Sequence, residues 1–282
     1  MRLELENVSM VYQSGTPFSA RALEDVSLTV EPGERLAVAG PVGSGKSTLL
    51  AILAGVETPT SGRVIHGTRE ISRRQTPPPG SIGLAFQSPE NCLFEKTVYS
   101  DVSFAPRRQG LDGLEVRRRV ENALAAVGVD PASMSQRSPF SLSIGEQRRV
   151  ALAGVLAMEP RALLLDEPTA YLDPAARRDL IRQLVELNEQ TGVTMVMVGH
   201  DMDELARFAG RLVIIDGGRK VAEGRAEIIL TDSALLARHS LDPPGTVELC
   251  SLLSAAMGDQ VAPALSEEQA IETLMQIMEG KC

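Results

Sequence analysis

One octapeptide constrains the fold more than any other part of this chain. Gly40-Pro41-Val42-Gly43-Ser44-Gly45-Lys46-Ser47 matches the pattern G-x-x-x-x-G-K-[ST]. A turn of this kind wraps backbone N–H groups around phosphate oxygens, and it needs a strand in front and a helix N-terminus behind. Both are legible. Leu36-Ala37-Val38-Ala39 is a short continuous apolar run, as expected of a central parallel strand covered on both faces, and Lys46 to Ala54 reads as helix. The residue types supply the chemistry. Gly40 to Gly45 and Thr48 form the expected cradle, Lys46 brings a point charge to the outer phosphates, and the Ser47 hydroxyl is suited to ligate Mg²⁺.

Strands flank this loop in a regular way. Residues 2–8 alternate like a half-buried strand, and Val26 to Val30 follows, cut off from the central run by the turn Glu31-Pro32-Gly33-Glu34. Arg63 to His66, Ile82 to Phe86, Ala162 to Leu165, Val193 to Val198 and Arg211 to Ile215 also read as strands, and Pro174 to Glu189 as a helix. From Glu90 to Met158 the period turns helical: Val116, Val120, Leu124 and Val127 recur at helix spacing, and Ser143 to Met158 looks like one long helix. The expected fold is α/β, with a mixed and mainly parallel sheet, N-terminal antiparallel strands, a helical insertion at about residues 90–158 and a small C-terminal helical appendage. The expected division is 1–231 for the main domain and 232–282 for the appendage, where Pro243-Pro244-Gly245 marks a break and Ser266-Glu267-Glu268 starts a helix before Ile271, Leu274 and Met278.

Charge and hydropathy exclude several classes of function. The net charge is −9, and seven acidic residues against one basic fall within 241–282, so a nucleic-acid surface, which wants an excess of Lys and Arg, is not the expected business of the chain. No stretch reaches the roughly 18–20 apolar residues needed to span a bilayer. The sequence Met1-Arg2-Leu3-Glu4-Leu5-Glu6 has no apolar block of a signal peptide, so the expected location is the cytosol, with membrane association through a partner. Cys92, Cys250 and Cys282 have no metal-ligand spacing and read as stray thiols in a reducing compartment.

Further residues carry chemistry once the phosphate loop is in place. Ala162-Leu163-Leu164-Leu165 ends in Asp166-Glu167: the first carboxylate suits Mg²⁺ held through water, the second a polarised attacking water. His200 follows the run Val193–Val198 and is a candidate γ-phosphate sensor at the carboxyl end of a parallel sheet. Gln87 ends the strand Ile82–Phe86, where its amide could reach Mg²⁺ or water. Tyr12 is placed to stack on a base, or else is an ordinary strand-face aromatic.

These residues together resemble the ABC ATPases. Leu142-Ser143-Ile144-Gly145-Glu146-Gln147-Arg148-Arg149 looks like that family's signature motif and Tyr171-Leu172-Asp173 like its D-loop, and the motifs occur in family order across residues 3–225. A narrower likeness lies in Phe86-Gln87-Ser88-Pro89-Glu90-Asn91-Cys92-Leu93-Phe94-Glu95-Lys96-Thr97-Val98-Tyr99, in Asp101-Val102-Ser103-Phe104-Ala105-Pro106, in Ala153-Gly154-Val155-Leu156-Ala157-Met158-Glu159-Pro160 and in the acidic tail. These are similar to the energy-coupling-factor ATPases. The resemblance implies hydrolysis of ATP with Mg²⁺ by two cassettes, alike or different, with Ser143 and Gly145 reaching the ATP of the partner. It also implies a transmembrane coupling subunit, a membrane subunit that binds vitamins or cobalt and nickel ions, and a tail that mediates pairing. Two positions depart from the family pattern: Ile144 stands where the signature has its first glycine, and Tyr171 where the D-loop has a small residue. A β-branched residue at 144 is expected to restrict φ and ψ near the partner's phosphate. A conventional importer cassette, a soluble ABC-type ATPase and a small-molecule kinase with the same phosphate loop are the competing readings.

Overall fold

The computed structural model describes residues 1–257 and 261–278. Met278's side chain and Cys282, both singled out above, lie outside the described residues. The chain opens with β1 (Leu3–Tyr12), β2 (Ala20–Val30) and β3 (Arg35–Ala39), then α1 (Lys46–Leu53), β4 (Ser61–His66), β5 (Arg69–Ile71) and β6 (Ile82–Ala85). The first strand runs past residue 8 to Tyr12. Its inward residues are Leu3, Leu5, Val8 and Met10, and the one-residue phase change is absorbed by a register shift against β2 at Asn7, whose φ is 48°. A bulge of this kind breaks the simple alternation in sequence while keeping one face buried.

The expected helical stretch divides into four: α2 (Val98–Arg108), α3 (Gly113–Ala126), α4 (Pro131–Met134) and α5 (Ile144–Leu156). Each break is chemical. Thr97, Asp112, Asp130 and Ser143 cap the four N-termini with their side-chain oxygens, satisfying backbone N–H groups that have no partner within the helix. Next come β7 (Ala162–Asp166), α6 (Pro174–Thr191), β8 (Thr194–Val198), α7 (Met202–Phe208), β9 (Arg211–Asp216) and β10 (Arg219–Arg225). The chain closes with α8 (Ala226–Thr231), α9 (Ser233–Arg238), α10 (Gly245–Met257) and α11 (Glu267–Met278).

Two sheets form. One is antiparallel in the order β2-β1-β4-β5. The other has the order β10-β9-β3-β8-β7-β6 and is parallel except for its β10 edge. The buried strands of this second sheet feed two cores by strict alternation. Leu36, Val38, Leu164, Val196, Val198 and Val213 join the core shared with α1 and the antiparallel sheet, while Ala37, Leu163, Leu165, Met195, Met197 and Leu212 join the core under the helices. Coverage on both faces is why these strands read as unbroken apolar runs. Leu236 and Leu241 belong to the larger core, beyond residue 231, whereas Cys250, Ala264 and Ala270 form a small cluster of their own within the tail. None of the described helices is long and apolar enough to cross a membrane.

Candidate nucleotide site

The strand order places β3 between β9 and β8, with β7 beyond, so the loops after β3, β7 and β8 leave the same carboxyl edge of the sheet. The loop after β3 needs its glycines for two distinct reasons. A Cβ on Gly40 would sit 2.0 Å from the Ile215 carbonyl oxygen, and one on Gly45 would sit 2.3 Å from that of Ala22. Gly45 also caps α1 in a left-handed conformation, φ 105°, that L-residues rarely adopt. The buried Lys46 ammonium donates to the carbonyls of Gly40 (2.7 Å) and Pro41 (2.8 Å), so it lies across the loop it is expected to serve. Burial holds its pKa below the usual value, and the Glu167 and Asp166 carboxylates oppose that shift. The Ser44 hydroxyl is buried with no hydrogen-bond partner, and Val42 is fully exposed at the tip.

Asp166 is the last residue of β7. Burial raises its pKa, and a hydrogen bond from Ser47 lowers it again. A serine hydroxyl and one carboxylate, side by side at a phosphate loop, match the oxygen-donor set of Mg²⁺, which takes its remaining ligands from phosphate and water. Together with the glycine cradle and the unpartnered Ser44 hydroxyl, the donors present suit a nucleotide phosphate and its cation. Glu167 has φ 48°, its N–H donates to Val198 (3.0 Å), and its Oε1 lies 3.1 Å from Nδ1 of His200. Glu167, His200, Gln87, Thr169, Tyr171 and Glu204 are among the residues around a cavity of about 320 Å³. Gln87 is exposed two residues beyond the end of β6, because that strand stops at Ala85. The Tyr12 hydroxyl is 3.4 Å from that of Thr48, which puts the ring at the loop's flank and half open to solvent.

The ABC transporter family pattern matches residues 23–170, just over half of the chain. An energy-coupling factor transporter ATP-binding protein of Symbiobacterium thermophilum is 43% identical over all of this chain and 98% of its own length, and a protein of the same name from Clostridium perfringens is 36% identical over 99% of both. The chain belongs to the energy-coupling factor transporter ATP-binding proteins. Among solved structures, cbiO1 from Clostridium perfringens, part of the ABC transporter complex cbiONQ, superimposes with a TM-score of 0.74 at 32% identity, covering 91% of this chain and 98% of that one. A dimeric cassette in a post-hydrolysis state, bound to ADP and phosphate, gives 0.72 at 29% identity over 79% and 98%.

As an energy-coupling factor ATPase, the protein is the ATP-hydrolysing subunit of a membrane transporter. Its signature segment stands apart from the loop residues just described. Ser143 caps α5 in a capping box, its Oγ 2.8 Å from Glu146 Oε2, which also accepts from the Ser143 N–H at the same distance. Ser143 and Gly145 line a second cavity of about 580 Å³, which shares only Tyr171 with the first among the described lining residues. Ile144 is the first residue of α5, where it presents an exposed apolar side chain beside Ser143 and Gly145. Tyr171 carries strain, with φ 63°, and its ring lies 4.6 Å from the guanidinium carbon of Arg148. Arg148 is 2% exposed and pairs with Glu90 at 3.2 Å. Sequence reasoning passed over this pair, and also Thr169, Arg177 and Glu204. Only the fold brings their partners together.

Proposed function

We propose that this ATPase hydrolyses Mg²⁺·ATP in sites shared between two cassettes, each phosphate loop facing the partner's Ser143 and Gly145. The observation that carries this is the separation of parts within one chain. Lys46, Ser47, Asp166, Glu167 and His200 converge on one edge of the sheet, while the signature residues open into a different cavity. A second cassette supplies what the first lacks.

In this reading Gly40 to Gly45 wrap the phosphates with backbone N–H groups, Lys46 exchanges its loop carbonyls for phosphate oxygens, and Tyr12 stacks on adenine. Ser47, Asp166 and Gln87 hold Mg²⁺, which when bound neutralises charge on the β- and γ-phosphates. Glu167 accepts the proton of the attacking water at its carboxylate, and the imidazole of His200, held by Oε1 of that same Glu167, reaches the γ-phosphate. The cassette acts at the cytoplasmic face of the membrane, with a transmembrane coupling subunit and a membrane subunit that selects a vitamin or a transition-metal ion. We place the catalytic domain at residues 1–231 and the pairing appendage at 232–282, with Leu236 and Leu241 as the seam that anchors the second to the first.

Glu167→Gln tests the assignment. ATP binding persists, steady-state hydrolysis falls about 10²–10⁴-fold, and ATP accumulates the closed dimer. Near-normal turnover would remove Glu167 from the chemistry.

A further inference from the structure

Glu167 and Tyr171 both adopt positive φ, at 48° and 63°, so the turn that carries the general base is strained at each end. Strain of this kind persists only where the surroundings hold it. Backbone bonds from the Ala170 N–H to the Glu167 carbonyl and from the Leu172 N–H to the Thr169 carbonyl, both 3.1 Å, close the turn, and one side chain ties its middle to the rest of the fold. Thr169 Oγ1 donates to Glu204 Oε2 at 2.5 Å, and both side chains are buried. Glu204 lies in the first turn of α7, four residues after His200. The N-cap residue Asp201 accepts from the N–H groups of Asp203 and Glu204 at 3.0 and 3.1 Å. The far end of the turn is held by Arg177 on α6. Its Nε donates to the Leu172 carbonyl at 2.9 Å, and its Nη1 stands 3.5 Å from Glu204 Oε1 and 3.7 Å from Asp201. Oε1 makes no hydrogen bond of its own, so this ion pair is its sole partner among the described residues.

We propose that Glu204 is a positioning residue for hydrolysis, holding through Thr169 the turn that carries Glu167 in register with His200. The two members of the 3.1 Å pair sit on different loops, after β7 and after β8, and one buried carboxylate ties both. Burial raises the Glu204 pKa and the Thr169 hydroxyl opposes that rise, so the hydrogen bond favours the charged form that also faces Arg177. An apolar pair would fill the same space without a desolvated charge. What it would not do is set direction: a short hydrogen bond to a carboxylate fixes the turn's azimuth, and a misplacement of about 1 Å at the reacting groups costs on the order of 10²-fold in rate.

The inference rests on Glu167 and His200 acting in hydrolysis, so Glu167→Gln is measured alongside in the assembled transporter. The readouts are kcat, ATP affinity and melting temperature. Thr169→Val keeps the shape and removes the donor; kcat is expected to fall about 10–100-fold with ATP affinity unchanged. Thr169→Ser, which preserves the hydroxyl, should recover most of that rate. If Thr169→Val does not fold, Arg177→Met takes its place with the same readouts and a smaller expected loss of kcat. A folded Thr169→Val or Arg177→Met variant with wild-type kcat, beside an inactive Glu167→Gln, overturns the role of Glu204 alone. So does a loss of ATP affinity in proportion to kcat. Normal turnover in Glu167→Gln overturns the assignment beneath it.

Discussion

Glu90→Gln should destabilise this protein far more than its position in the short 3-10 turn Pro89–Cys92 suggests. Glu90 lies three residues past Gln87, and its carboxylate is the one anionic partner of Arg148 among the described residues. The guanidinium is 2% exposed, so neutralising Glu90 strands a cation away from water. Breaking a buried ion pair from one side costs about 3–5 kcal/mol. Three features place this case at the lower end. The carboxamide oxygen still accepts from Nη2, whose present distance to Glu90 Oε1 is 3.4 Å. Nε and Nη1 already make no well-aligned hydrogen bond, so little geometry is lost there. The Tyr171 ring stays beneath the cation, a contact worth about 0.5–2 kcal/mol. The expected loss is therefore about 2–3 kcal/mol, or roughly 5–10 °C in melting temperature for a chain of this size. Urea titration and calorimetry read it directly. Asp179→Asn is the control, because its pair with Arg182 is exposed on both sides and worth less than about 1 kcal/mol. The double change Glu90→Leu with Arg148→Met should restore much of the stability, since no buried charge remains. A Glu90→Gln shift no larger than that of Asp179→Asn refutes the reasoning.

Lys46→Ala should abolish ATP binding, since the loop loses its only charged donor, and equilibrium binding of a labelled nucleotide checks this; normal affinity would displace the loop from the site. Removing the tail should weaken pairing while sparing ATP binding, but the cut must respect the core. Ending at Thr231 strips the buried Leu236 and Leu241, so a chain ending at Asp242 is the right variant, and an unchanged sedimentation profile would count against the pairing role. Phe94→Ala should uncouple transport from hydrolysis with basal ATPase activity retained. Phe94 is 57% exposed and meets Phe104 edge-to-face at 5.0 Å, an aromatic pair open to a docked helix, whereas the neighbouring Leu93 and Val98 are core residues. Loss of folding in that variant would assign Phe94 to the core as well.

The amino-acid sequence was sufficient wherever one short segment holds its own meaning. The phosphate loop is dictated by glycines that admit no side chain, the buried strands by apolar runs covered on both faces, and the start of α5 by Ser143 and Glu146 capping each other. These rest on forces between residues a few positions apart, so spacing alone reveals them. Where a strand changes phase, as β1 does at Asn7, the periodic signal stops early even though the strand does not. Partner choice lay beyond reach. Thr169 meets Glu204 across 35 residues and Glu90 meets Arg148 across 58, and neither pair has a local signature. The order β9-β3-β8-β7 brings Glu167 beside His200, and the same order leaves Ser143 and Gly145 facing a separate cavity. The reason is physical: a buried polar group demands a partner without specifying which, and the choice is made only when burial of the apolar faces has set the neighbours.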